Sequence, residues 1–97
     1  MKTLEEIKSI LKEHKKEVLR KYRANIKGVF GSYLRAEANK ESDIDVLVEF
    51  EDNANLMDFV GLSLFLEEKL KCRVDVVPED AIRKEIKSSI LREAAYL

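Results

Sequence analysis

The sequence predicts a small α/β domain: a mixed β-sheet of about three strands flanked by helices, with residues 1–97 forming one domain. Three observations carry this. Apolar residues recur at helical spacing near the start and again from Leu56. Three short runs, Ile26 to Phe30, Ile44 to Phe50 and Arg73 to Val77, are rich in branched residues and read as strands. The link between the second and third runs exceeds twenty residues and contains a helical stretch, which suits a parallel crossover.

Each element has its own local cause. Thr3-Leu-Glu-Glu6 fits a capping box that opens a helix, and Leu4, Ile7, Leu11, Val18 and Tyr22 lie on one stripe running to about Arg23. His14 sits beside that stripe and reads as a packed or boundary residue. Strand one ends at Gly31-Ser32, and Tyr33 to Ala38 could form a short helix before the polar loop Asn39 to Ser42. In strand two, Ile44, Val46 and Val48 share one face, while Asp43, Asp45 and Leu47 share the other. Asn53 to Asn55 forms a turn and cap, and a helix follows from Leu56 to about Lys71. After strand three, Pro78-Glu-Asp80 suits the first turn of another helix. Ile90 to Leu97 reads as its helical continuation.

Composition narrows the function. Hydrophobic residues make up 45% of the chain, which argues for a folded core rather than disorder. The longest apolar stretch, Val60 to Leu66, is far shorter than the ~20 residues of a membrane helix. The N-terminal residues mix acids with apolar side chains and lack a signal-peptide core, so a soluble cytoplasmic protein is the default. A net charge of −1 gives no basic field for long nucleic acid. The single cysteine, Cys72, excludes an intrachain disulfide and a cysteine-cluster zinc site.

Three acids stand where strands should be apolar. Asp43 and Asp45 alternate on one strand face, and Asp75 interrupts the run Val74 to Val77. Carboxylates gathered from adjacent strands repel one another unless a cation offsets them. Oxygen donors alone suit a hard ion, and Mg²⁺ is commonly held by one or two carboxylates plus substrate phosphates. Gly31 lets backbone approach a phosphate, Ser32 adds a hydroxyl donor, and Arg35 follows three residues on, able to grip phosphate oxygens. For these groups to share a site, the end of strand one must meet the start of strand two, so the two strands must run antiparallel. A triphosphate would then lie over Gly31 and Ser32, with two Mg²⁺ ions held by Asp43, Asp45 and Asp75. Asp75 could also accept the proton of the attacking hydroxyl.

The pattern Gly31-Ser32, ten residues, then Asp43-Ile44-Asp45 resembles the signature of the DNA polymerase beta-type nucleotidyltransferase superfamily. The whole chain resembles its shortest branch, the minimal nucleotidyltransferases. That resemblance implies a mixed sheet and two-metal transfer of a nucleotidyl group. It assigns Gly31 and Ser32 to phosphate binding, Asp43, Asp45 and Asp75 to the metals, and Arg35 and Ser42 to flanking positions of the nucleotide site. Two positions depart from the pattern: Tyr33 replaces a second basic residue, and Ala36 replaces a glycine. Minimal nucleotidyltransferases are commonly encoded beside a HEPN-domain toxin. Resemblance therefore implies an antitoxin that moves AMP from ATP onto a toxin tyrosine and silences its ribonuclease activity.

The small size sets the acceptor problem. With no added domain to hold an acceptor, the acceptor must be small or must bring its own docking surface. From Leu56 to Leu66 apolar residues point almost all round the helix, so part of its girth should stay exposed, around Met57 and Phe65. That predicts a homodimer or a HEPN-bound complex. Besides a structural α/β domain with no site, which would show no Mg²⁺-dependent NTP binding, two alternatives remain open on the residues alone. One is a binding module that neutralises a partner by occlusion. The other is transfer to a small molecule such as an aminoglycoside, which the missing acceptor domain disfavours.

Overall fold

A computed structural model describes residues 3–30, 44–81 and 95–97. The chain begins with helix α1 (Leu4–Tyr22), followed by strands β1 (Ala24–Phe30) and β2 (Ile44–Phe50). Helix α2 (Leu56–Leu70) leads to strand β3 (Val74–Pro78), a single 3-10 turn (Glu79–Ala81) and a two-residue strand β4 (Ala95–Tyr96). The sheet order is β3-β2-β1-β4. β1 runs antiparallel to β2 and β4, and β2 runs parallel to β3, so the sheet is mixed as predicted.

Both helices start as their sequences dictate. Thr3 caps α1: its Oγ1 accepts from the Glu6 backbone N–H, and the Glu6 carboxylate reaches back to Thr3. Asn55 and Asp58 do the same for α2. Each helix ends on a residue in the left-handed region, Arg23 and Lys71, whose N–H closes the last turn.

The two helices and one face of the sheet enclose the core. Ile7, Leu11 and Val18 from α1 meet Ile26 and Val29 of β1, Val46 and Val48 of β2, and Leu62 and Leu66 of α2. The helices approach closely at Gly61, where a Cβ would stand 2.8 Å from Cε1 of Tyr22. His14 packs its ring edge-on to Phe65, with centroids 5.5 Å apart, as a boundary residue.

Strand β1 contains a bulge. Ile26 pairs with Val48 and Gly28 with Leu47, which leaves Lys27 as the extra residue. The consequence is one of parity. Ile26 and Val29 lie an odd number of residues apart, yet both are fully buried in the core. The bulge permits this.

Three expectations change. Residues 95–96 form a strand rather than the end of a helix. Ala95 and Tyr96 pair with Val29 and Gly28, and the Leu97 N–H donates to the Lys27 carbonyl. The open edge of β1 outweighs the local helix preference of these residues. β3 extends one residue past Val77 to Pro78, where proline is tolerated because β3 is an edge strand, and the 3-10 turn Glu79–Ala81 follows, the helix expected from there on lying outside the described residues. Phe65 is buried against His14 and Tyr22, so the exposed apolar face of α2 excludes it. The helix expected at 33–38 lies outside the described residues, as does the course of the chain over 82–94.

Candidate active site

The sheet's second face carries two of the acids that the sequence singles out. Ile44, Val46, Val74 and Val76 point into the core, so Asp45 and Asp75, at alternating positions, point away from it. They are direct partners across the parallel β2–β3 ladder. Neighbouring strands lie ~4.8 Å apart, so the two carboxylates project side by side. Asp45 is half-buried and Asp75 is exposed, which gives the pair a protein side and an open side.

The other half of the site is set by β1. Its last residue, Phe30, pairs with Asp45, and Gly31 comes next in sequence. β1 therefore delivers the chain to the start of β2, beside the Asp45–Asp75 pair. The antiparallel arrangement that a shared phosphate and metal site requires is the one observed.

Two adjacent carboxylates on a half-open surface match the donors a hard divalent cation takes: oxygen only, with room left for water or phosphate. Among the described residues no group of three or more acids, histidines or cysteines is placed to hold a metal ion, and Asp45 and Asp75 are the predicted metal ligands that fall within them. Gly31, Ser32, Arg35, Ser42 and Asp43 lie outside the described residues.

A sequence profile for the nucleotidyltransferase domain matches residues 4–97. The chain belongs to this nucleotidyltransferase family. It is therefore an enzyme of the nucleotidyltransferase class. The chain is similar to the protein adenylyltransferase MntA of Thermococcus cleftensis, at 45% identity over all of this chain and 98% of that one. A Methanocaldococcus jannaschii protein assigned the same activity by name is 42% identical, with both chains covered in full. A solved minimal nucleotidyltransferase superposes with a TM-score of 0.82 at 36% identity, covering 99% of this chain and 97% of that one. A toxin–antitoxin structure with AMP-PNP superposes at 0.66 over 82% of this chain and 66% of that one; at 22% identity it bears on the fold alone.

Sequence reasoning missed a second concave region at the opposite end of the sheet. There the ends of β2 and β3 and the start of α2 enclose a hollow of about 540 Å³, lined by Phe50, Asp52, Leu56, Phe59, Pro78 and Asp80 among others. Its residues come from three element ends with no fixed spacing. The available signal was the density of acids at 49–52 and 79–80.

Among the described residues, no helix is long and apolar enough to cross a membrane.

Proposed function

We propose that this nucleotidyltransferase is a Mg²⁺-dependent protein adenylyltransferase and cytoplasmic antitoxin. It moves AMP from ATP onto a tyrosine hydroxyl of a HEPN-type toxin encoded beside it. The carrying observation is the pairing of Asp45 with Asp75 on one sheet face, next to the strand end that leads to Gly31. The names of its relatives at 45% and 42% identity support a protein acceptor and an adenylyl donor.

In this reading Gly31 and Ser32 bind the ATP phosphates, Arg35 and Ser42 flank them, and Asp43, Asp45 and Asp75 hold Mg²⁺. Bound Mg²⁺ neutralises phosphate charge and lowers the pKa of the attacking hydroxyl. The tyrosine oxygen attacks the α-phosphorus, the bond to the bridging oxygen breaks, and pyrophosphate leaves. The tyrosine proton passes to the Asp75 carboxylate or to water at its exposed side. Asp45, on the inner strand β2, would be a fixed ligand of that Mg²⁺ ion.

The test uses ATP labelled at the α-phosphate, the purified chain and the purified partner. Label should appear on a partner tyrosine, need Mg²⁺, and fall by at least about a hundredfold in Asp45→Asn and Asp75→Asn. Changes merely adjacent to metal ligands already cost up to about that much. Wild-type transfer at full rate in excess chelator would sink the metal assignment. The exposed apolar face of α2 favours a second reading, neutralisation by binding alone. Neutralisation that persists in Asp43→Ala without label would establish it.

A further inference from the structure

Helix α2 carries an uncovered apolar stripe that runs into the acidic hollow. Leu56, Met57, Val60 and Leu64 are 74%, 75%, 43% and 62% exposed. At 100° per residue these positions fall within an arc of about 100° and span about 12 Å of helix. Leu56 belongs to both features, since it also lines the hollow. Phe50 and Phe59 form the hollow's aromatic wall, with ring centroids 6.0 Å apart.

Among the described residues, the charged side chains that line the hollow are all acidic. Glu51, Asp52 and Asp80 line it, and an adjoining recess of about 310 Å³ adds Glu49 and Glu79. Lys27 approaches Glu49 at 3.9 Å. Among the described residues, Glu51, Asp52, Glu79 and Asp80 make no ion pair. These carboxylates are too dispersed to converge on a metal ion, since no such group of three occurs among the described residues. A long side chain with a diffuse positive head fits better: its stem lies along Leu56, its cation meets the phenyl faces, and the acids surround it.

We propose that this surface docks an amphipathic helix of the protein substrate, with its apolar face on the α2 stripe and a lysine or arginine in the hollow. The occupant follows from complementarity, because an apolar strip continued by unpaired acids selects an apolar strip continued by a base. This deepens the adenylyltransferase reading and rests on it for the identity of the partner. The position suits that role. Phe50 lies five residues along β2 from Asp45, about 17 Å away, so a docked partner leaves the catalytic end open.

The experiment measures binding of the purified full chain to the purified HEPN-type partner by calorimetry, with circular dichroism confirming that every variant is folded. Met57→Ser/Leu64→Ser should weaken binding about thirtyfold or more. Asp52→Lys/Asp80→Lys should weaken it about tenfold and flatten its salt dependence. Affinity for Mg-ATP should be unchanged in both. A photo-crosslinker in place of Met57 should capture a partner peptide with apolar residues at helical spacing and a nearby lysine or arginine. Unchanged affinity in both variants overturns the proposal. So does a crosslink to a second copy of this chain, or to a peptide lacking a basic residue. If binding responds as described but wild type transfers no label, the enzymatic reading fails and the docking surface stands. If label is transferred and affinity ignores both variants, docking alone fails.

Discussion

Asp58 ties the two helices together. Its Oδ2 accepts from the Asn55 backbone N–H at 3.0 Å and from Arg23 Nη1 at 3.1 Å, so one buried carboxylate completes the α2 cap and holds the α1 terminus. Asp58→Ala should cost about 1–3 kcal/mol in urea unfolding, because it removes a capping partner and strips a guanidinium of its acceptor. Arg23→Ala should cost less, about 0.5–1 kcal/mol, since the Arg23 side chain is 43% exposed. A double-mutant cycle should show coupling; strictly additive losses would mean the ion pair contributes nothing. Gly61→Ala sets two effects against each other. Alanine gains about 1 kcal/mol in helix propensity, while a Cβ 2.8 Å from a Tyr22 ring already packed on Phe65 costs about 1–3 kcal/mol. A net loss is expected, largely recovered by adding Tyr22→Leu. On the surface of α1, hydrogen bonds from Lys21 and His14 hold the Glu17 carboxyl below the ordinary carboxylate range. A depressed carboxylate stabilises the fold above its unfolded pKa, and that contribution fades as pH falls through the folded value. Any difference between wild type and Glu17→Gln should therefore be present at neutral pH and vanish in acid.

The bulge at Lys27 decides whether β1 can belong to this sheet. With it, Ile26 and Val29 both enter the core, and Phe30 comes level with Asp45. Deleting Lys27 would force a choice between burying Ile26 and burying Val29, and would displace the strand end from the acid pair. That deletion should abolish cooperative unfolding or leave a folded protein without Mg-ATP binding, whereas Lys27→Ala should stay within about 0.5 kcal/mol of wild type. A deletion variant with native stability and native binding would show that the bulge is incidental. The sequence offered a hint, since Ile26 and Val29 violate strict alternation, but parity alone does not say which residue is extruded. β2 was legible to its ends, because Ile44, Val46 and Val48 share one face and alternate with Asp45, Leu47 and Glu49, of which only Leu47 is apolar and buried. β1 begins two residues earlier than its branched run, at Ala24, where pairing to Phe50 supplies what propensity does not. β4 was illegible, since Ala95 and Tyr96 become a strand only through an edge that exists after folding. Asp45 and Asp75 stood out because acids in buried strands demand a reason. Their pairing is a property of register, which the crossover through α2 sets.

At the scale of the molecule, the proposed nucleotide site and the proposed docking surface lie at opposite ends of the sheet and should be separable by ligand linkage. The end of the sheet proposed to bind the nucleotide sets Asp45 and Asp75 side by side, and Asp75 is exposed, outside the core. Replacing one oxygen by nitrogen on an exposed side chain outside the core changes the fold little. Asp75→Asn should therefore leave the melting temperature of the ligand-free chain unchanged. Wild type should gain by mass action when Mg-ATP is added. At a hundred times the dissociation constant the gain is about 2.7 kcal/mol, or roughly 10–20 °C for a domain of this size. Asp75→Asn should lose most of that gain, while Met57→Ser/Leu64→Ser at the other end should retain all of it. A variant that falls in stability without ligand would assign Asp75 to the fold instead of the site. Equal ligand-induced gains in wild type and Asp75→Asn would remove it from the nucleotide's surroundings altogether.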